Sequence, residues 1–287
     1  MSNKSQKRPK VIGEKTSLAF WVPFYVFMVL YAIFSLAPII WMVMTSFKTR
    51  GDVYATPPLL IFQPSLESYA HIFFYSDIPR MLLNTVIISI GSTALSLAVG
   101  LLSSYALARL PIPGREDIAF YILSIRMFPP IAAAIPIFLI LRSLNLVDTH
   151  IGMIIAYTTF NLPFVVWMMR GFIENLPPEL EEAAMVDGRS RLRAFLDVTL
   201  PLLKPSIVAI AIFCIIFSWN EFLFALILTT RVAKTMPVSI TEFITWREVT
   251  WNTVAAAATI LVIPVIIFTF LVQKYLVRGL TMGAVRG

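Results

Sequence analysis

Apolar residues fall along this chain in six long runs, at roughly 18–45, 81–107, 118–142, 151–173, 205–228 and 253–276. Each run is long enough to cross a bilayer as a helix, which takes about 20 residues. Only short polar stretches separate them. The pattern predicts an all-α membrane protein: six transmembrane helices in a single domain over 18–287, behind a polar, basic tail at 1–17. The longest polar insert between the later runs, 171–204, is expected to carry its own short helix.

The runs differ in texture. The second carries Ser92, Ser96, Gly100 and Ser104 at four-residue spacing. That places small side chains on one helix face, where a second helix can approach closely. The third contains Pro129, Pro130 and Pro136, which predicts a kink or a break, and the fourth contains Pro163. Proline at membrane depth frees backbone carbonyls and is tolerated where neighbours or water satisfy them. The segment 46–80, with Pro57, Pro58 and Pro64, reads as irregular with short helical pieces.

Composition supports the membrane reading. The chain is 58% hydrophobic and 14% charged, against about 25% charged for a soluble domain. The net charge of +7 could point to nucleic acid, but its distribution argues otherwise. With the N-terminus taken as cytoplasmic, the inside segments hold fifteen Lys and Arg and the outside segments six. This is the positive-inside bias, so it reports topology, with both termini cytoplasmic and no nucleic-acid partner. No cleaved signal is expected, because the first run exceeds the 7–15 residues or so of a signal core and lacks a cleavage site. The single cysteine, Cys214, builds no disulfide framework or cysteine metal site. With only His71 and His150, and neither a Walker A sequence nor a glycine-rich phosphate loop, no metal site and no cofactor is expected in this chain. Energy must then come from a partner or from an ion gradient.

The insert has a readable grammar. Pro177 and Pro178 close the preceding helix and can open a new one. Glu179, Glu181 and Glu182 cluster at that start, where the helix dipole favours negative charge. Ala183 and Ala184 favour helix and add no bulk. Asp187 and Gly188 follow, and glycine suits the left-handed residue that often ends a helix. Leu200-Pro201 marks the return to the membrane. A short amphipathic helix on the cytoplasmic face follows, free to meet another surface or to rest on lipid headgroups.

Ionisable residues at membrane depth are functional-site candidates by default. Arg126 lies about eight residues into its run, roughly 12 Å deep at about 1.5 Å per residue. Asn161 is near the middle of the fourth run, and Trp219, Asn220 and Glu221 lie in the fifth. With Tyr157, these supply the aromatic faces and hydrogen-bonding groups of a sugar pathway. Alternatively, Arg126 and Glu221 pair with each other or with a neighbouring subunit.

The insert also resembles the EAA loop of ABC-importer permeases. Glu182-Ala183-Ala184, three residues, Gly188, nine residues, Val198, one residue and Leu200-Pro201 keep every spacing of that pattern. ArgMetPhePro at 126–129, the stretch 157–163, TrpAsnGluPhe at 219–222 and the ending at 278–287 are similar to the carbohydrate-importer branch, in particular its maltose-type, MalG-like permeases. The maltose permease itself lacks the TrpAsnGluPhe run, so its cargo is not carried over. The resemblance implies a permease subunit of a bacterial inner membrane importer. It would pair with a second permease, an ATPase dimer that binds ATP and Mg, and an external solute-binding protein, and it would move a sugar by alternating access. It further implies that Glu181, Glu182, Ala183, Ala184, Asp187 and Gly188 couple to the ATPase. Thr281, Met282 and Gly283, in a small, flexible tail, would reach into it, and the segment 229–252 would face the binding protein. The same machinery could import glycerol-phosphate or a polyamine. A stand-alone secondary transporter is the rival of a different class. Such folds carry repeats and intramembrane acids, whereas this chain shows no evident repeat and only Glu221 well inside a run.

Overall fold

The computed structural model describes residues 18–244 and 249–284. The basic tail 1–17, the positions Thr245, Trp246, Arg247 and Glu248 of the external segment, and the last three residues lie outside the described residues. α1 spans Leu18–Ser46 and is followed by the short α2 (Arg50–Val53) and α3 (Glu67–Tyr75). The long α4 covers Ile78–Arg109. α5 (Arg115–Ile125) and α6 (Pro130–Ser143) come next, then α7 (His150–Glu174), unbroken through Pro163. The polar insert folds into α8 (Glu179–Val186), α9 (Arg191–Ala194), a π-helical turn (Phe195–Thr199) and α10 (Leu200–Leu202). α11 (Lys204–Trp219), α12 (Leu223–Leu228) and α13 (Met236–Ser239) lead through a 3-10 turn (Ile240–Phe243) to α14 (Trp251–Ala284).

Among the described residues, four helices are long and apolar enough to cross a membrane, in α1, α4, α7 and α14, and two further spans arise if each bent helix pair counts as one. The first pair is α5 with α6, meeting at 93°; the second runs from Arg191–Leu202 into α11 at 75°. The break in the third run sits where its prolines predict. Pro130 disfavours helical backbone at the residue before it, and Pro129 accordingly leaves the helix with ψ 123.

The fifth run departs from expectation. It reads as one span over 205–228, yet α11 stops at Trp219 and α12 restarts at Leu223. The polar pair at the junction explains it. Both oxygens of Glu221 accept backbone N–H groups, from Phe224 at 2.9 Å and Ala225 at 3.2 Å. A side chain that caps a new first turn competes with continuation of the old helix.

The body of the bundle is the packing of α4 on α7. Ser92, Ser96, Gly100 and Ser104 are all buried, as their spacing predicts. The approach is so close that a Cβ at Gly100 would lie 2.5 Å from Val165 Cγ1, and one at Gly91 2.6 Å from Ile154 Cδ1. Ser92, Ser218 and Asn161 form a buried polar knot that ties in α11, with Asn161 Nδ2 donating to Ser218 Oγ at 2.8 Å. α1 packs against α14 alone among the membrane-crossing helices to any extent, and every residue from Trp21 to Trp41 is exposed.

The glycine contact yields a test. Gly100→Val drives two methyl groups into Val165, and overpacking of this kind costs about 1–3 kcal/mol. Gly171→Ala, where nothing lies within 4 Å of the added carbon, should be neutral or slightly stabilising. Thermal unfolding of the purified protein should separate the two; equal midpoints would remove the close-packing argument.

Candidate coupling helix and transport cleft

α8 forms as the insert's grammar predicts, behind Pro178 and with three glutamates in its first turn. Its end is a Schellman motif: Arg189 N–H reaches Ala184 O, and Gly188 N–H reaches Met185 O. Gly188 holds φ +86, a backbone conformation that side-chain-bearing residues resist.

The three glutamates divide by direction. Glu182 and Ala183 face outward with Asp187 and Gly188, beside Val186, which is 88% exposed. Glu181 and Ala184 face inward and are buried. The Glu181 carboxylate accepts from Tyr105 Oη at 2.8 Å, Arg109 Nε at 3.1 Å and Thr199 Oγ1 at 2.8 Å. Arg109 also donates to the carbonyls of Ile173 and Leu176. The carboxylate thus joins α8 to the end of α4 and to the π-helical turn, and Arg109 carries the link on to the end of α7. Sequence reading grouped Glu181 with the outward residues and missed Tyr105, Arg109 and Thr199. The only signal was a tyrosine and an arginine four residues apart at the end of a run.

The six pathway candidates also divide. Arg126, Asn220 and Glu221 line a cleft of about 350 Å3 with Phe160 and Phe217. Arg126 and Phe160 extend into an adjoining cleft of about 460 Å3 along α5 and α6. Tyr157, Asn161 and Trp219 are buried in the packing instead. The Tyr157 hydroxyl points at Glu221 O (3.4 Å), Asn161 belongs to the serine knot, and Trp219 Nε1 donates to Leu261 O at 3.0 Å. They position the cleft wall and do not open onto it. The sequence alternative of an Arg126–Glu221 pair does not form, because Glu221 is committed to the first turn of α12.

Residues 96–282 match the model of the binding-protein-dependent transport system inner membrane component family. A probable ABC transporter permease, y4oR of Sinorhizobium fredii, is 40% identical over 88% of this chain and 90% of that protein. The trehalose/maltose transport system permease MalG of Thermococcus litoralis is 35% identical over 90% of this chain and 94% of that protein. The chain belongs to the inner membrane component family of binding-protein-dependent transport systems. Among solved structures, a chain of a bacterial ABC transporter involved in import of the acidic polysaccharide alginate has a TM-score of 0.78. It is 27% identical over 91% of this chain and 99% of that one.

Two further features of this inner membrane component bear on function. α14 continues in helical form to Ala284, so Thr281, Met282 and Gly283 lie in its last turns and not in a loose tail. Two glycines alone do not stop a helix that nothing else interrupts. At the bundle end opposite α8, Asp148 holds the segment after α12. It accepts backbone N–H groups from Thr230, Arg231, Val232 and Ala233 at 3.0–3.1 Å and the Thr230 hydroxyl at 2.8 Å. Burial alone would raise its pKa, but these donors outweigh it and hold the carboxyl down at about 2. Nothing but its place as the lone acid in 143–150 marked it in the sequence.

A pKa held below its unfolded value stabilises the fold above the ordinary carboxylate range, and that stability is lost as pH falls through the folded value. Wild-type protein should therefore lose thermal stability between about pH 4 and pH 2. Asp148→Asn should be less stable at pH 7 and show a flatter acid limb; an unchanged limb would rule the latch out.

Glu181→Ala should be more damaging than its neighbour's loss. Removing one partner of a buried pair costs about 3–5 kcal/mol, and Arg109 keeps two carbonyl acceptors, so we expect the lower end. A fall in the unfolding midpoint for Glu181→Ala but not for Glu182→Ala is the expected result. Equal midpoints would contradict the inward anchor.

Proposed function

We propose that this inner membrane component is one permease of a heteromeric, ATP-driven importer of a sugar or sugar derivative. It pairs with a second permease, two ATPase copies that bind ATP and Mg, and an external solute-binding protein. Both termini face the cytoplasm in a bacterial inner membrane. The observation that carries this reading is α8: a short helix with an exposed, low-bulk outer face and a buried ionic anchor to two membrane-crossing helices. An exposed patch of Glu182, Ala183 and Val186 is suited to a protein surface, and the Glu181 anchor passes any push on α8 to α4 and α7. Sugar cargo is supported by the trehalose/maltose permease relative and the alginate transporter chain, and by an aromatic cleft bearing hydrogen-bonding groups. The tail turns at Thr281–Gly283 are assigned to contact with the ATPase dimer.

The coupling role has a direct test. In the assembled complex, Glu182→Lys reverses the charge of the outward face, and Gly188→Val opposes the left-handed turn that ends α8. Both should cut uptake by tenfold or more and uncouple ATP hydrolysis from the loaded binding protein. The binding protein's own affinity for cargo should not move. Full transport by both variants would discredit α8 as the coupling element.

A further inference from the structure

Among the described residues, Arg126 finds no hydrogen-bond acceptor for its side chain. It caps the end of α5, at the break before Pro129 and Pro130. Its guanidinium carbon lies 4.7 Å from the centroid of the Phe164 ring and 4.6 Å from that of Phe217. Aromatic faces attract a cation, but they do not satisfy five N–H donors. Among the described residues, no carboxylate lies at ion-pair distance from it. Glu221, the acid on the same cleft, is spent on the first turn of α12. The residue is exposed to the cleft.

A guanidinium at membrane depth is costly and faces a partner or a water-filled cavity. Here two rings fix its place, so its fork is organised before anything binds. The complement of such a fork is an anion with two acceptor oxygens side by side, which takes two parallel charge-assisted bonds, each about twice the strength of a neutral one. A neutral sugar, offering hydroxyls only, leaves most of that capacity unused. Phe160, which lines both clefts, supplies an apolar face for a sugar ring beside the charge.

We propose that Arg126 is the anion-holding residue of the transport pathway and that the cargo is an acidic saccharide, bearing a carboxylate or sulfonate. This rests on the importer reading above. The charge is held by a single cationic side chain in an open cleft, which suits a cargo that must leave again.

The test uses the assembled importer in proteoliposomes with its cognate binding protein. The probes are a uronic-acid disaccharide, a sulfonated sugar and their neutral counterparts. Calorimetry on the binding protein alone establishes which it holds, and uptake is measured with that protein saturated. Wild-type should favour an acidic form by tenfold or more. Arg126→Gln should reduce the acidic-to-neutral uptake ratio by about tenfold, the effect of 1.4 kcal/mol of lost binding. Arg126→Lys, which keeps the charge without the fork, should recover part of it. A binding protein that holds only neutral sugars overturns the proposal, as does an unchanged ratio in Arg126→Gln. Loss of the second permease on purifying Arg126→Gln also overturns it, because the guanidinium would then pair with protein. Absence of any ATP-driven uptake of sugars that the binding protein holds removes the importer reading itself, and this inference with it.

Discussion

The buried carboxylate of Glu181 is the contact on which the architecture turns. A charge removed from water must be repaid by partners, and here three side chains from two elements, α4 and the π-helical turn, supply them. The arrangement leaves α8 little freedom to move alone. A displacement of α8 either carries the ends of α4 and α7 with it or breaks a buried ion pair. That asymmetry makes a short surface helix useful as a lever.

The other end of the bundle is closed by the same physics with different parts. Asp148 gathers four successive backbone N–H groups after α12, and Asn84 of α4 donates to the carbonyls of Val232 and Lys234. His150, at the start of α7, meets Asn84 at 2.8 Å. α4 and α7 therefore carry a polar fastening at each end. Between the fastenings they are packed so closely that glycine is required at Gly91 and Gly100. Interiors packed to that density deform little, so the pair behaves as a strut. A rigid strut fastened at both ends conveys motion along its length without a chain of individual contacts.

The sequence made the membrane class, the broken third span, the small-residue face of α4 and the outline of α8 legible, because each rests on a local rule. Spacing fixes which residues share a helix face, and adjacent prolines forbid a continuous helix. Direction within a polar cluster was not legible. Glu181 and Glu182 are neighbours of identical chemistry, and only the fold decides which one finds Arg109, seventy-two residues away. Tyr157, Asn161 and Trp219 were misplaced for a related reason. Polar tips on membrane helices satisfy themselves on other helices as readily as on a cargo. The split of the fifth run escaped because Glu221 reads equally as an intramembrane acid and as a helix cap.

Two breaks in helical backbone, at 126–129 and 220–222, border the same cleft. Irregular backbone at membrane depth is tolerated only where protein or a water-filled cavity surrounds it. Two breaks converging on one cavity are therefore better explained by the cavity than by two separate accidents of sequence. One break is enforced by prolines and presents a guanidinium; the other is enforced by a carboxylate and presents Asn220. Because Glu221 is committed to making the second break, it does not pair with Arg126, and the guanidinium keeps its donors for the cleft. The residues that shape the backbone here thereby also set the charge that a cargo meets.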